Sequence, residues 1–334
     1  MSIKSTENLA GTFVSQETVE LVRAQALYML DVAQKLPNGV YAMGGLYLSW
    51  VASRWLSDRM LNNNVSAKFD WKKEIAVVTG GSGGIGAEVV KALNAEGVTT
   101  IVIDVLPLSY PKSKSIHYYK CDLTNYEELQ SVVRKIKKEV GTTTIAIANA
   151  GICRGKPIMA ASKKDIELTF GVNNLAMLWT AKTFLPDMLD NNHGHFLIVA
   201  SQTACSATPG LTDYSASKSA AVAIYEGLDG EVRNIHKANG VRVSCVSPSA
   251  VDTKMFSGIK LGPGISALDP KALGGEIADI IFSGKSQNVF VPRSAAVAVY
   301  FRTLPDWVRV LMQKTSTKMM EDSKPHDPLK DKDS

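Results

Sequence analysis

Three side chains near the middle of the 334-residue chain carry reactive groups: Ser201, Tyr214 and Lys218. Tyr214 and Lys218 are four residues apart in Tyr214-Ser215-Ala216-Ser217-Lys218, which stacks both on one face of a helix starting near Asp213. An ammonium beside a phenol favours the phenolate, so a group that ordinarily titrates near ~10 becomes a proton shuttle nearer neutrality. Ser201 follows the apolar run Phe196–Ala200, which predicts a buried parallel strand ending where open α/β sheets place their ligands. A hydroxyl, a phenol and an ammonium together suit carbonyl/alcohol redox chemistry. Taken alone, Tyr-x-x-x-Lys describes a half-exposed tyrosine and a solvated lysine on many helices. The surrounding elements must supply its purpose.

The first such element is a site for a hydride carrier. Ile75–Thr79 is a β-branched run that leads directly into Gly80-Gly81-Ser82-Gly83-Gly84-Ile85-Gly86, followed by a helical pattern over Ala87–Glu96. A strand, a glycine-rich turn and a helix N-terminus form a phosphate cradle, because the backbone approaches closely and free N–H groups face the charge. A flexible linker does not fit between a strand and a helix. Thr99–Asp104 reads as the next strand, with Asp104 placed to accept hydrogen bonds from ribose hydroxyls and to repel a 2′-phosphate. The next basic residue is Lys112, so NAD is favoured over NADP. Strands at Ile116–Cys121, Thr144–Ala148, Arg242–Val246 and Asn288–Val291 alternate with helices at Asn125–Val140 and Pro270–Phe282. That rhythm predicts an α/β fold: a single Rossmann-type, doubly wound parallel sheet with helices on both faces, plus an N-terminal helical and apolar extension.

Thr79-Gly80-x-x-x-Gly84-Ile85-Gly86, Asn149-Ala150-Gly151, Asn173, Ser201 and Tyr214-x-x-x-Lys218 resemble, in order and spacing, the short-chain dehydrogenase/reductase family over about residues 72–292. The resemblance implies that Tyr214 is the acid/base. Lys218 lowers its pKa and holds the nicotinamide ribose, and Ser201 binds the substrate oxygen. It also implies that Asn173 distorts its helix to hold a relay water. Asp122 would contact the adenine, Asn149 brace the central sheet, and Thr253 meet the nicotinamide carboxamide. Gly80, Ser82, Gly84, Ile85, Gly86, Leu123, Ala150, Gly151 and Val251 complete the implied cofactor site. Asn174 reads as a bystander. After Pro248 the family usually has Gly where this chain has Ser249, a departure beside the nicotinamide that removes no catalytic group. Residues 175–201 resemble the membrane-associated branch that contains retinol dehydrogenases and 17β-hydroxysteroid dehydrogenases. That branch implies a retinoid, a steroid or another long apolar alcohol as substrate.

Composition sets the outer bounds. A net charge of +5, with lysines scattered rather than striped among aromatics, argues against nucleic-acid binding. Cys121, Cys153, Cys205 and Cys245 are widely spaced and read as buried free thiols, and neither they nor the five histidines have metal-ligand spacing. No secretory signal is expected in residues 1–30, where residues 17–35 show a helical period instead. Pro37-Asn38-Gly39 reads as a turn. Leu36–Ser53 carries no charge and is followed by Arg54 and Arg59, with Tyr41, Tyr47, Trp50 and Trp55 spread along and just past it. Such a stretch is short for a span and suits an interfacial or re-entrant anchor; a helix packed on the body or on a dimer partner is the alternative. Asn62–Asn64 and Ser66 read as a linker. Lys254–Asp269 reads as an apolar lid or an ordinary surface loop, and Ala295–Met312, broken by Pro305, as a membrane-facing, substrate-entry or dimer element.

The domain limits expected are 1–65 for the extension, 66–294 for the catalytic domain, 295–320 for the apolar C-terminal segment and 321–334 for a disordered tail. The expected protein is an NAD-dependent oxidoreductase of lipophilic alcohols, with a homodimer possible. Its expected place is an endoplasmic reticulum membrane or lipid-droplet surface with the catalytic domain facing the cytosol, or else a soluble cytoplasmic form. The rival readings are an NADP-dependent carbonyl reductase and a non-catalytic lipid-surface scaffold.

Overall fold

A computed structural model describes residues 38–256 and 266–320, with Glu20, Arg23 and Ala24. Apart from those three residues the helix expected over 17–35, and with it most of the lid and the tail from Glu321, lies outside the described residues. The chain divides into two units, Met1–Asp58 and Arg59–Ser334.

In the first unit, α1 (Asn38–Leu61, running on into the second unit) has no acidic residue in its first turn. Met43, Leu46, Tyr47, Trp50 and Trp55 are all exposed. Tyr47 stacks on Trp50 at 6.0 Å, and the Arg54 guanidinium is 5.0 Å from the Trp50 ring centroid. Asn38 and Gly39 are the helix's first residues rather than a turn, a position where N–H groups need no intrahelical acceptor. No helix among the described residues is long and apolar enough to cross a membrane.

In the second unit, seven parallel strands run in the order β3-β2-β1-β4-β5-β6-β7. They are β1 (Ile75–Thr79), β2 (Thr99–Asp104), β3 (Ile116–Lys120), β4 (Ile145–Ala148), β5 (Gly194–Val199), β6 (Val241–Pro248) and β7 (Asn288–Val291). Five central residues show how the register is held: Val77 pairs with Ile101 and Ala146, and Phe196 pairs with Ala146 and Val243. Because side chains alternate across a strand, each strand feeds two cores. Val77, Ile101, Ala146 and Phe196 face α3 (Tyr126–Glu139), α5 (Ala176–Asp190) and α6 (Thr212–Gly230). Val78, Val102, Ile147 and Leu197 face α2 (Gly84–Ala95) and α7 (Pro270–Phe282). This is the doubly wound sheet predicted from the strand–helix rhythm.

Two boundaries differ from expectation for physical reasons. Helix α2 starts at Gly84 rather than Ala87, because Gly84-Ile85-Gly86 form its first turn. Pro305 breaks the C-terminal segment as expected: a 3₁₀ stretch (Arg293–Thr303) ends before it, and α8 (Asp306–Met320) starts just after it. Asn62 is not linker. It is buried, its side chain accepts from the Ser286 N–H at 2.8 Å, and the Arg242 guanidinium bonds the Asn62 and Val65 carbonyls.

Candidate active site

The site forms at the C-terminal ends of the parallel strands. After β1 the chain turns at Gly80 (φ +64°) and Gly84 (φ +54°), a region that side chains rarely adopt. A Cβ on Gly80 would stand 2.8 Å from the Ala150 Cα, and one on Gly86 would meet the Gly80 carbonyl and, at 2.6 Å, the Asn149 amide. Only glycine permits this closeness. The N-cap of α2 is Gly83, which has no side chain to bond the first N–H groups. Those donors and the helix dipole suit a pyrophosphate.

Asp104 ends β2 and is half-buried. Its two oxygens accept the Ser82 and Leu106 N–H groups, each at 3.0 Å. Each oxygen retains a second lone pair, as a ribose diol requires. Ser82 itself is buried and its hydroxyl donates to the Leu106 carbonyl at 2.8 Å, so it shapes the turn rather than offering a hydroxyl to a ligand. Tyr110 and Ser109 brace the same turn from outside by donating to the Gly81 and Ser82 carbonyls, at 2.8 and 2.6 Å. Nothing in the spacing of those two residues signals this. Ile85 packs on the core beneath the turn. Asp122 is exposed after β3 with Oδ1 accepting from the Thr124 N–H and hydroxyl, whereas Leu123 is buried in the core.

Asn149 joins the ends of β1 and β4, donating to the Thr79 and Gly80 carbonyls at 3.0 and 3.1 Å. The Thr79 hydroxyl accepts from both Asn149 and Ala150 N–H groups. Gly151 leaves room beside Lys218: a Cβ there would be 3.5 Å from Nζ. Across the turn, Val251 is buried and bridges to Leu268, and the Thr253 methyl faces the place where a Gly84 Cβ would stand, at 3.8 Å.

A π-helical turn, Gly171–Leu175, interrupts the passage from α4 (Lys163–Phe170) to α5. Asn173 lies within it, fully buried. Its carboxamide accepts from the Ile152 N–H and donates to the Ile152 carbonyl and the Ser217 hydroxyl. Asn174 is more than a bystander, since it donates to the Ser217 carbonyl and ties the same turn to α6.

Tyr214 and Lys218 are buried on α6 and Ser201 is buried at the end of β5. The Ser201 side chain lies close enough to the Tyr214 phenol to lower its pKa. Lys218 Nζ donates to the Val199 carbonyl at 2.9 Å and stands 5.8 Å from the Tyr214 ring centroid. The expected lowering of the phenol pKa by Lys218 is not a property of the chain by itself. Burial pushes the phenol up, with the Ser201 side chain pulling it back, and burial pulls the ammonium down to about 8. Desolvation outweighs the attraction at this separation.

Around Tyr214 the wall is apolar: Cys153, Leu211, Met255 and Phe256, the last ring meeting it edge-on at 5.6 Å. The four cysteines are free, and burial pushes the Cys153 thiol up to about 12. No cluster among the described residues could hold a metal ion.

A tight glycine turn, a half-buried carboxylate and a buried Ser–Tyr–Lys group now stand on one sheet edge, and the short chain dehydrogenase family model matches residues 74–262. The chain belongs to the short-chain dehydrogenase family. It is an NAD(P)-dependent oxidoreductase of the branch that holds the retinol and 17β-hydroxysteroid dehydrogenases. It is similar to estradiol 17-beta-dehydrogenase 11 of Rattus norvegicus, 32% identical over 260 residues that cover 73% of this chain and 85% of the relative. Epidermal retinol dehydrogenase 2 of Homo sapiens is 33% identical over 231 residues, covering 66% and 74%. Among solved structures, an alcohol dehydrogenase from Thermococcus sibiricus complexed with 5-hydroxy-NADP shares the fold. Its TM-score is 0.54 at 22% identity, covering 65% of this chain and 95% of the other.

Proposed function

We propose that this short-chain dehydrogenase uses NAD to interconvert a lipophilic alcohol, such as a retinoid, a steroid or a long-chain lipid alcohol, with its aldehyde or ketone. The observation that carries the reading is the buried group of Ser201, Tyr214 and Lys218, the last 5.8 Å from the Tyr214 ring centroid, on the sheet edge that holds the glycine turn. When bound, the nicotinamide exchanges a hydride with the carbon that bears the oxygen. The chain supplies the remaining parts. Ser201 orients the substrate oxygen and Tyr214 takes its proton in oxidation or returns it in reduction. Lys218, with one carbonyl as its acceptor, has donors left for ribose hydroxyls, and its charge lowers the cost of a phenolate. Asn173, on the π turn, holds the relay water that connects this pair to solvent. Asp104 takes the adenosine ribose diol, Asp122 the adenine and Thr253 the carboxamide.

The apolar wall of Cys153, Leu211, Met255 and Phe256 supports a greasy substrate, as do the names of the relatives. Asp104 and the lack of a basic residue before Lys112 favour NAD, since a 2′-phosphate would meet a carboxylate. The exposed tryptophans and tyrosine of α1, followed by Arg54 and Arg59, fit an endoplasmic reticulum or lipid-droplet surface. Turnover of estradiol, all-trans-retinol and a fatty alcohol with each cofactor tests the reading. NAD is expected to bind more tightly and at least one of the three to be oxidised; tighter NADP binding overturns the role of Asp104. Full-length protein is expected to float with liposomes more than a chain starting near Ser66, and equal flotation removes the anchor.

A further inference from the structure

The 3₁₀ stretch Arg293–Thr303 lies beyond residue 262, where the match to the family model ends. It is seated on the second unit by Ala295 and Ala298, both buried, and from it Arg302 reaches the active-site edge. Arg302 Nη2 donates to the Ala204 carbonyl at 2.6 Å and to the Ser219 hydroxyl at 3.0 Å, while Nε donates to the Cys205 carbonyl at 3.3 Å. Ser219 also donates to the Ala204 carbonyl, at 2.9 Å. One guanidinium therefore joins the end of the short 3₁₀ turn Gln202–Ala204 to the helix residue that follows Lys218. Ser201 is the cap of that turn: its hydroxyl accepts from the Thr203 N–H and hydroxyl, and its carbonyl accepts from the Ala204 N–H.

We propose that Arg302 is a positioning residue that fixes the Ser201 turn against α6, and so holds the Ser201 hydroxyl in place beside Tyr214. The inference rests on the roles given above to Ser201 and Tyr214. A planar fork satisfies three acceptors at once, and a lysine at this position cannot reproduce that geometry. Loosening the clamp lets Ser201 drift away from the phenol and misaligns the substrate oxygen. The chemistry slows while the cofactor site, built on Gly80–Gly86 and Asp104, is left alone.

The test uses the full chain with NAD, with estradiol and all-trans-retinol as probes. Arg302→Ala is expected to lower kcat about fivefold with the KM for NAD unchanged. The rise of kcat with pH moves to higher pH, because the phenol loses the nearby Ser201 hydroxyl that favours its ionised form. In the absence of any ligand, the Ala204 and Cys205 amides exchange hydrogen faster than in the parent. Arg302→Lys recovers part of each effect. Unchanged kcat and pH profile in folded Arg302→Ala overturn the proposal, as does a loss of kcat with unchanged pH profile and amide exchange. If Arg302→Ala does not fold, Arg302→Lys and Ser219→Ala decide on the same readouts. Tyr214→Phe is run beside them: full activity in that variant removes the catalytic reading itself, whereas an inactive Tyr214→Phe with fully active Arg302 variants removes the clamp alone.

Discussion

The two edges of the sheet both bury polar groups, yet they use them in opposite ways. At the N-terminal edge, Arg242 is almost fully buried and its guanidinium is committed to carbonyls of Asn62, Val65, Asn239 and Gly284. His195 bonds Ser244 at 2.8 Å, and buried Glu74 accepts from His193 at 3.1 Å. These groups close the strand ends and tie the segment after α1 to β6 and the loop after α7. At the C-terminal edge Lys218 is buried too, yet its ammonium donates to the Val199 carbonyl only. Buried polar groups normally have their hydrogen bonds satisfied, and at the N-terminal edge His195 Nδ1 is an exception. Burial does not separate the two edges; the donors left on Lys218, on the edge that holds the glycine turn, do.

Substitutions can break that contrast, and the largest effect belongs to the C-terminal edge. Tyr214→Phe is expected to lower kcat about 10³-fold while leaving the unfolding midpoint and NAD binding in place, as read by steady-state kinetics and denaturant titration. Arg242→Ala is expected to do the reverse. Leaving four carbonyls without their donor costs about 3 kcal/mol of stability in denaturant titration, with kcat per folded molecule unchanged.

Two pH effects sharpen the comparison further. His195 is pulled down to about 3 by burial and by the Arg242 guanidinium, so it is neutral in the folded chain while the unfolded chain protonates below 6.5. The unfolded state then binds more protons, and stability falls as pH drops through that window. About 2 kcal/mol is lost between pH 6.5 and 5, a slope that His195→Gln is expected to flatten in denaturation curves recorded across that range.

At the other edge Lys218 carries the cost of a buried ammonium until the folded chain releases its proton near 8, whereas the unfolded lysine keeps it to 10.5. Lys218→Met is therefore expected to abolish turnover yet to stabilise the cofactor-free chain at pH 7 by about 1 kcal/mol, after allowing for the lost bond to Val199. Because the parent is relieved of its penalty as pH rises from about 8 to 10.5, the advantage of the variant fades over that interval. A variant less stable than the parent at pH 7 would put Lys218 in the same class as Arg242.

Much of this arrangement was legible in the chain because parallel strands are buried on both faces and show as short apolar runs. Ile75–Thr79, Thr99–Asp104 and Asn288–Val291 form as predicted, as does the helix Pro270–Phe282. The glycine turn was legible too, because a strand, glycines and a helix leave one geometry open. Less local features were hidden. Asn62 looks like part of a polar linker until Ser286, 224 positions away, is seen to bond it. Arg302 carries no motif at all, and its partners lie 83 to 98 positions earlier in the chain.

The sequence by itself determined the chemistry of this protein: residue types at fixed spacings on a strand end and one helical turn place Ser201, Tyr214 and Lys218 together, and the glycines place a phosphate nearby. Tertiary structure alone decided the energetics of those groups. The phenol is pushed up and the ammonium down because helix α6 buries both against the sheet. Spacing along a helix fixes which side chains are neighbours, but the free energy of a charge depends on everything that displaces water from around it.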